Sequence, residues 1–225
     1  MRIGTWNLQK RLLTDEHRSV LLGQQCDIWL LTEVNPKALS PDGKLAGFHC
    51  HLSGVMAGKN LWAAVLSLQT LSPLPHPHPA SAAAIVDGIT FCSSILPWAG
   101  CRKYSPHPWV GKTIGEMTKA AIDSLSNVLP KSDLVWGGDW NHSLKGPILG
   151  SKAGRDHILT AIKSFNLQVP TADLPHQNNE CRSIDHVAVP SAWEVRCACR
   201  IPATRLSDHD AYVVEISADE PEGKE

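Results

Sequence analysis

The feature of this sequence that most constrains its fold is a series of short apolar runs separated by polar and turn-forming residues. Runs of this length bounded by turn formers predict β-strands. The predicted strands are RIGTWN, CDIWLLTEV, LWAAVLS, IVDGITFCSSIL, DLVW, SIDHVAV, WEVRCACRI and AYVVEI. The segments predicted as helices are DEHRSVLLGQQ, GKTIGEMTKAAIDSLSNVLP and GRDHILTAIKSFNL. Many strands with few helices predict an α+β fold in which two sheets pack face to face, with helices outside.

Length and composition indicate one globular domain. The chain has 225 residues, of which 43% are hydrophobic and 19% charged, so it can bury a large core. We expect a single domain over residues 1–217, a disordered C-terminal tail over 218–225, and a monomer. The formal net charge of -1 does not favour nucleic-acid binding as a basic chain would, but a local basic patch is compatible with it.

Cysteine usage and the absence of a targeting signal favour the cytoplasm. No segment is apolar for long enough to span a membrane, and the start MRIGTWNLQKR has no hydrophobic signal core. The 7 cysteines lack the spacing of a disulfide framework, so we expect free thiols. In WEVRCACRI, strict alternation predicts that Cys197 and Cys199 both pack on an apolar face.

The segment SPLPHPHPASAAA, residues 72–84, is predicted to be a stiff loop between strands. Its prolines exclude a central strand because proline cannot donate a ladder hydrogen bond. Metal binding by His76 and His78 is the alternative interpretation, although no other ligand converges on them in the sequence.

Acidic, amide and histidine side chains recur at the ends of five predicted strands, far apart in the chain. These residues are Asn7, Glu33, Asp139 with Asn141, Asp185 with His186, and Asp208 with His209. Each has an ordinary structural explanation: a cap, a surface carboxylate, a turn or a satisfied histidine. Their recurrence at several strand ends favours one shared site.

Metal-assisted attack on a phosphate ester is the chemistry that uses this set of side chains. A hard divalent cation such as Mg²⁺ takes few protein carboxylates, and Glu33 fits a direct ligand. Asn7 fits an amide that holds the cation or the phosphate.

The remaining residues of the set supply proton transfer and charge stabilisation. Asp139 is the candidate base that orients water. In an extended backbone Asn141 would point to the same side as Asp139, where its amide can donate to the charge building on phosphorus. His209 is a second donor, and Asp185 can fix its tautomer and favour its charged form.

Five motifs in the same order resemble those of the endonuclease/exonuclease/phosphatase (DNase I-like) superfamily. TWNLQ resembles the first motif, LLTEV the metal-glutamate motif, GGDWN the GDFN motif, SIDHV the RIDYI motif and LSDHDAYVVEI the terminal SDH motif. The resemblance implies a four-layer α/β/β/α sandwich with the site at one edge of the paired sheets, and Mg²⁺ or Mn²⁺ as cofactor. It also implies the metal-binding and catalytic roles just given, with Asp208 as an acid near the metal.

The sequence departs from the superfamily pattern at two places. Some members carry a second acid where this chain has Gln9. Some carry a Tyr or His on a middle strand, and the matching stretch SSILPWAG has Ile95 or a neighbouring serine instead. Candidate substrate contacts elsewhere are Lys59, Asn60, Arg102, Lys103, Lys145, Arg155 and Arg182, each of which could equally be a solvated surface residue.

The leading functional hypothesis is a divalent-metal-dependent phosphodiesterase acting on nucleic acid, as an endonuclease or exonuclease on DNA or RNA. The alternative is a phosphatase or phosphodiesterase of a small molecule or lipid head group. A catalytically silent binding module is the third, and the intact set of Asp139, Asn141, Asp185 and His209 argues against it.

Overall fold

The computed structural model describes residues 1–103, 107–177, 180–203 and 205–217, apart from the Ala57 side chain. The predicted tail, 218–225, lies outside the described residues. The described strands are β1 (Arg2–Asn7), β2 (Ile28–Val34), β3 (His49–Leu52), β4 (Leu61–Ser67), β5 (Ser72–Pro73), β6 (Ser81–Val86), β7 (Ile89–Ser94), β8 (Leu134–Asp139), β9 (Leu167–Gln168), β10 (Asp185–Pro190), β11 (Val195–Ile201) and β12 (Ala211–Ile216). The described α-helices are α1 (Asp15–Gly23), α2 (Ile114–Ser126) and α3 (Lys152–Ser164). Short 3₁₀ turns lie at Pro36–Leu39, Ala57–Lys59, Cys101–Lys103 and Pro170–Asp173.

The strands form two mixed six-stranded sheets. One has the order β11-β12-β1-β2-β4-β3 and the other β5-β6-β7-β8-β10-β9. Within each sheet one neighbouring pair is parallel, β1 with β2 and β7 with β8, and the other pairs are antiparallel. The predicted α+β sandwich of two mixed sheets is confirmed.

Three apolar layers hold the sandwich together. Between the sheets, side chains such as Leu30 and Val65 of the first sheet pack with Phe91 and Val135 of the second. Helix α1 covers the outer face of the first sheet through Leu21. Helices α2 and α3 cover the outer face of the second sheet around the buried ring of Trp136. The order of layers is therefore helix, sheet, sheet, helix, as the resemblance implies.

The segment IVDGITFCSSIL forms a hairpin rather than one strand. Strands β6 and β7 pair antiparallel across the tight turn at Asp87 and Gly88, whose φ angles are 49° and 79°. Positive φ at both central residues matches the right-handed twist of a two-residue hairpin, and Asp-Gly is a preferred pair there. The prediction of a loop over 72–84 is wrong at both ends, because β5 is a short edge strand and β6 begins at Ser81.

The predicted apolar face of β11 is interrupted by a bulge between Val195 and Cys197. Val195 packs between the sheets, whereas Cys199 packs on the outer side with α1. Cys197 is exposed, so the prediction that both thiols are buried is wrong for Cys197. An inserted residue breaks the period-two alternation on which that prediction rested.

All seven cysteines are free thiols in the structure, and Cys26, Cys92, Cys101 and Cys181 are buried. Burial raises the pKa of the Cys26 thiol to about 12, which makes it a poor nucleophile. Among the described residues, no helix has both the length and the apolar character to cross a bilayer.

Gly138, just before Asp139, allows β8 to approach β7 closely. Its φ is +116°, and a Cβ at this position would overlap the backbone of Ser94. We expect Gly138→Ala to lower the free energy of unfolding by at least about 2 kcal/mol, because overlap and backbone strain add.

The matched control is Gly23→Ala, since Gly23 ends α1 with nothing within 4 Å of an added Cβ. Urea unfolding of both variants is the measurement. If Gly138→Ala proves as stable as Gly23→Ala, the close approach of the two strands is contradicted.

Candidate functional site

The topology brings the predicted strand ends to one edge of the sandwich. Asn7 ends β1, and Glu33 lies at the end of the parallel neighbour β2. Asp139 ends β8 and pairs in register with Asp185, which begins the antiparallel strand β10. Strand β12 runs antiparallel to β1, so His209, just before it, returns to the same edge. Five segments distant in sequence therefore meet because of strand direction within each sheet and the packing of the two sheets.

Asp139 lies at the centre of a buried hydrogen-bonded cluster. Asn7 Nδ2 donates to Asp139 Oδ2 at 2.9 Å, and the Asn141 backbone N–H donates to Asp139 Oδ1 at 3.0 Å. His209 Nε2 lies 3.9 Å from Asp139 Oδ2. His209 Nδ1 lies 2.7 Å from Asp185 Oδ2. One imidazole thus bridges two carboxylates.

Two residues outside the predicted set position this cluster. The Ser207 hydroxyl donates to the Asn7 carbonyl at 2.7 Å and accepts from the His209 N–H at 3.2 Å. Trp6 Nε1 donates to the His209 carbonyl at 3.0 Å. Trp6 directly precedes Asn7 in the motif TWN, and Ser207 lies two residues before His209 in the motif LSDH. Their closeness to these predicted site residues is the sequence signal that could have identified them.

The electrostatics of the cluster favour a charged imidazole beside a carboxylate that holds a proton more strongly than usual. Burial and the charge of Asp185 raise the pKa of Asp139, while His209 and the Asn7 hydrogen bond oppose that rise. Burial lowers the pKa of His209, but the charges of Asp185 and Asp139 outweigh it, and the net pKa is raised. Mutual shifts of this kind are characteristic of acid–base sites.

Asn141 does not continue an extended strand, contrary to the sequence prediction. Its φ is 54°, and its N–H closes a turn onto the Asp139 carboxylate. Its side-chain amide donates to the Leu96 carbonyl at 3.0 Å. Asp139 and Asn141 therefore form a turn and also line the same cleft, so the turn does not exclude a shared site.

That cleft is polar and has a volume of about 280 Å³. Its lining residues are Gln9, Lys10, Glu33, Trp98, Asp139, Asn141, Asp208 and His209. Glu33 is 13% exposed and has a φ of 51°, an uncommon conformation for glutamate. Strained residues of this kind concentrate at functional sites.

The oxygen donors of the cleft fit a hard divalent cation. Glu33 and Asp208 present carboxylates to it, and Asp208 is exposed. Asn7 is only 2% exposed, and its side chain bonds to Asp139 and to the Gln9 N–H. In this structure Asn7 thus orients Asp139.

A second set of donors lies deeper. Asp139, Asp185 and His209 each offer a ligand atom within 4.8 Å of the others, and Asp185 Oδ1 is buried with no hydrogen-bond partner among the described residues. His209 Nδ1 bonds to Asp185 at 2.7 Å, and Asp139 already accepts from Asn7 and from the Asn141 N–H. Asp208 is exposed, so the carboxylates of the cleft are the more accessible donors for a cation.

The middle-strand position that departs from the superfamily pattern is filled by apolar packing. Ile95 is in the core. Ser93 donates to the Leu31 carbonyl at 2.8 Å, and Ser94 accepts from Trp136 Nε1 at 3.1 Å. The residue of SSILPWAG that lines the cleft is Trp98, which the sequence pattern does not single out.

Four of the seven candidate substrate contacts are engaged in local bonds outside the cleft. Lys145 pairs with Asp173 at 2.6 Å, and Arg182 donates to the Asp173 carbonyl at 2.7 Å. Arg155 donates to Ser143 at 2.7 Å, and Arg102 donates to the Lys112 carbonyl. Lys59 and Lys103 are exposed and Asn60 is half-buried. None of the seven is among the residues that line the cleft.

Solved structures of nucleases share this architecture. An AP endonuclease from Archaeoglobus fulgidus matches with a TM-score of 0.71 at 14% identity, over 96% of this chain and 99% of that one. The endonuclease domain of TRAS1, a telomere-specific non-LTR retrotransposon, matches with a TM-score of 0.62 at 17% identity, over 96% and 97%. An endonuclease/exonuclease/phosphatase from Beutenbergia cavernae DSM 12333 matches with a TM-score of 0.68 at 16% identity, over 96% of this chain and 71% of that one.

No protein-family model and no curated protein matches the sequence. The likeness therefore concerns the fold, and it agrees with the five motifs predicted to resemble the superfamily. The chain has the DNase I-like fold of the endonuclease/exonuclease/phosphatase superfamily.

Proposed function

We propose that this protein is a divalent-metal-dependent phosphodiesterase that cleaves nucleic acid. The observation that carries the proposal is the Asn7–Asp139–His209–Asp185 cluster beside the carboxylate cleft. In this proposal the cluster supplies a base and a cationic donor, and the neighbouring carboxylates supply ligands for a cation. The fold shared with nucleases supports the same reaction class.

Asp139 is proposed as the base. Its Oδ2 would accept a proton from a water whose oxygen attacks phosphorus, while the bond from phosphorus to the leaving oxygen breaks. Asn7 keeps this carboxylate oriented by donating to the same oxygen. Burial makes Asp139 a stronger base than an exposed aspartate, because its pKa is raised.

His209 is proposed as the donor that stabilises the charge developing on the phosphate oxygens. Its Nδ1 is held by Asp185, which leaves the Nε2 edge directed toward Asp139. Preorganised donors of this kind act strongly because they need no rearrangement during the reaction.

Mg²⁺ or Mn²⁺ is the proposed cofactor, and when bound it would screen phosphate charge. Glu33 and Asp208 are the proposed ligands from this chain, since both carboxylates line the cleft. Asn141 also lines the cleft, and the amide hydrogen that does not bond the Leu96 carbonyl is proposed to bind a phosphate oxygen.

A small phosphodiester or phosphomonoester is the second candidate substrate. The observation that favours it is the engagement of Lys145, Arg155 and Arg182 in local bonds, together with a net charge of -1. A nuclease gains affinity from basic contacts to phosphates along the strand.

A substrate panel tests the proposal and separates these candidates. It contains plasmid, single-stranded and abasic DNA, RNA, inositol phosphates and bis-p-nitrophenyl phosphate, each with Mg²⁺, Mn²⁺ or EDTA. We expect cleavage of a nucleic acid that EDTA abolishes. Cleavage confined to inositol phosphates would support the second candidate, and inactivity on every compound would contradict both.

Asp185→Asn should move the alkaline limb of the pH–rate profile to lower pH. The Asp185 charge is the main group that raises the pKa of His209. Activity needs His209 protonated, so it is lost as pH rises through that raised pKa, and without Asp185 the loss begins earlier. The acidic limb depends on Asp139. The charge of Asp185 raises the pKa of Asp139, so that pKa should fall in Asp185→Asn.

The measurement is kcat/KM against pH for wild type and Asp185→Asn. Both limbs should shift toward acid, which a simple loss of folded protein does not produce. An unchanged alkaline limb would contradict the proposal that Asp185 keeps His209 protonated.

A further inference from the structure

Lys10 forms an ion pair with Glu33 inside the cleft. Lys10 Nζ lies 2.7 Å from Glu33 Oε2, and the two side chains are 26% and 13% exposed. Both residues line the same cleft as Asp139 and His209. The pair thus joins the carboxylate proposed as a metal ligand to a cation of the chain itself.

The Lys10 backbone is held in place on both sides. Its N–H donates to the Glu33 carbonyl at 2.7 Å, and its carbonyl accepts from Asn35 Nδ2 at 3.3 Å. Gln9, Lys10 and Glu33 all have positive φ, of 51°, 58° and 51°. The backbone hydrogen bonds of this turn therefore fix Lys10 beside Glu33, whereas a lysine on an open surface would not be held in place.

The charges of the cleft explain why a cation is needed there. Glu33, Asp139 and Asp208 are the lining carboxylates, and Lys10 and His209 are the lining cations among the described residues. His209 is already bonded to Asp185. Lys10 is accordingly the counter-charge for Glu33.

We propose that Lys10 is an internal counter-ion, which competes with a divalent cation for the Glu33 carboxylate. This inference rests on the proposed function, because that function assigns Glu33 as a metal ligand. An ammonium and a divalent ion compete for the same carboxylate, so Lys10 weakens the cation affinity of the site. Lys10 would thereby balance the charge of Glu33.

Removal of the competing charge should tighten metal binding. We expect the dissociation constant for Mg²⁺ to fall by roughly threefold to tenfold in Lys10→Met, somewhat more than an exposed ion pair is worth. Lys10→Arg keeps the charge and should bind Mg²⁺ about as weakly as wild type.

Both affinities are measured without substrate. Calorimetric titration measures the binding of Mg²⁺, and electron paramagnetic resonance measures the binding of Mn²⁺. Lys119→Met is the matched control: Lys119 pairs with Asp123 on the exposed face of α2, so this variant removes the same charge away from the cleft. Thermal melting checks that each variant is folded. If Lys10→Met fails to fold, Lys10→Gln takes its place.

Tighter binding in Lys10→Met with unchanged binding in Lys119→Met supports the inference. Unchanged or weaker binding in folded Lys10→Met overturns it, as does a wild type that binds neither ion. The substrate panel is scored separately. If wild type cleaves a substrate but Lys10→Met has unchanged metal affinity, only the counter-ion role is contradicted. If Lys10→Met binds metal more tightly but no phosphate ester is cleaved, only the proposed reaction is contradicted.

Discussion

Asp139→Asn is expected to lower kcat by roughly 10²–10⁴-fold, the range for loss of an acid–base group. An amide cannot accept the proton of the attacking water. Asp139 also sits within a network in which Asn7, Asn141 and His209 all converge on its oxygens. His209→Ala should fall in the same range, because it removes a charged donor to the transition state.

Asp139→Asn should melt close to wild type, whereas His209→Ala should melt lower, because it leaves the buried Asp185 carboxylate without its partner. Asp139→Asn loses one of the two accepted hydrogen bonds, but it also removes a buried charge that Asp185 opposes. The double variant should be little worse than either single variant, because residues that act as a unit are not additive.

Steady-state kinetics on a substrate that wild type cleaves is the measurement, with Asp123→Asn on α2 as a matched control. Asp123 is exposed and pairs with Lys119, so its loss should leave kcat unchanged. Wild-type turnover from both Asp139→Asn and His209→Ala would mean that the site lies elsewhere.

Glu33→Gln is expected to weaken Mg²⁺ binding by about tenfold or more and to lower kcat/KM by roughly 10²-fold or more. A metal supplies several kcal/mol of charge stabilisation, and this corresponds to such a rate loss. Glutamine preserves the shape of the side chain, so the left-handed conformation at this position should persist.

Calorimetry and kinetics on the same preparation test this expectation, and an excess of Mn²⁺ should recover part of the activity. The control is Glu16→Gln, an exposed glutamate on the first turn of α1. Unchanged Mg²⁺ affinity in Glu33→Gln would contradict the ligand assignment and would direct attention to Asp139, Asp185 and His209, which also lie within reach of one ion.

The fold class and the residues that meet at the site can be predicted from the amino-acid order without any coordinates. Short apolar runs specify strands through local sterics and burial, and LWAAVLS and AYVVEI coincide with β4 and β12. Polar residues at strand ends stand out because the buried strands exclude them. Asp139, Asp185 and His209 can therefore be proposed together before any geometry is known.

Local rules also fail in identifiable places. The hairpin at Asp87 and Gly88 is predicted as one strand because apolar residues continue on both sides of a two-residue turn. Cys197 is predicted on a buried face because a bulge cannot be seen in an alternating pattern. An extended Asn141 is predicted, although its own hydrogen bond to Asp139 turns the chain.

The partners of the site residues follow from the packing of the whole chain. Several contacts depend on chain segments that are adjacent in space but not in sequence. Lys10 pairs with Glu33, Trp98 lines the cleft, and the Ser207 hydroxyl donates to the Asn7 carbonyl. The same is true of the pKa of Asp139, because burial and the distances to Asp185 and His209 set it. Side-chain type and strand period are local properties, whereas distance, burial and charge environment arise only when two sheets pack and bring their ends together.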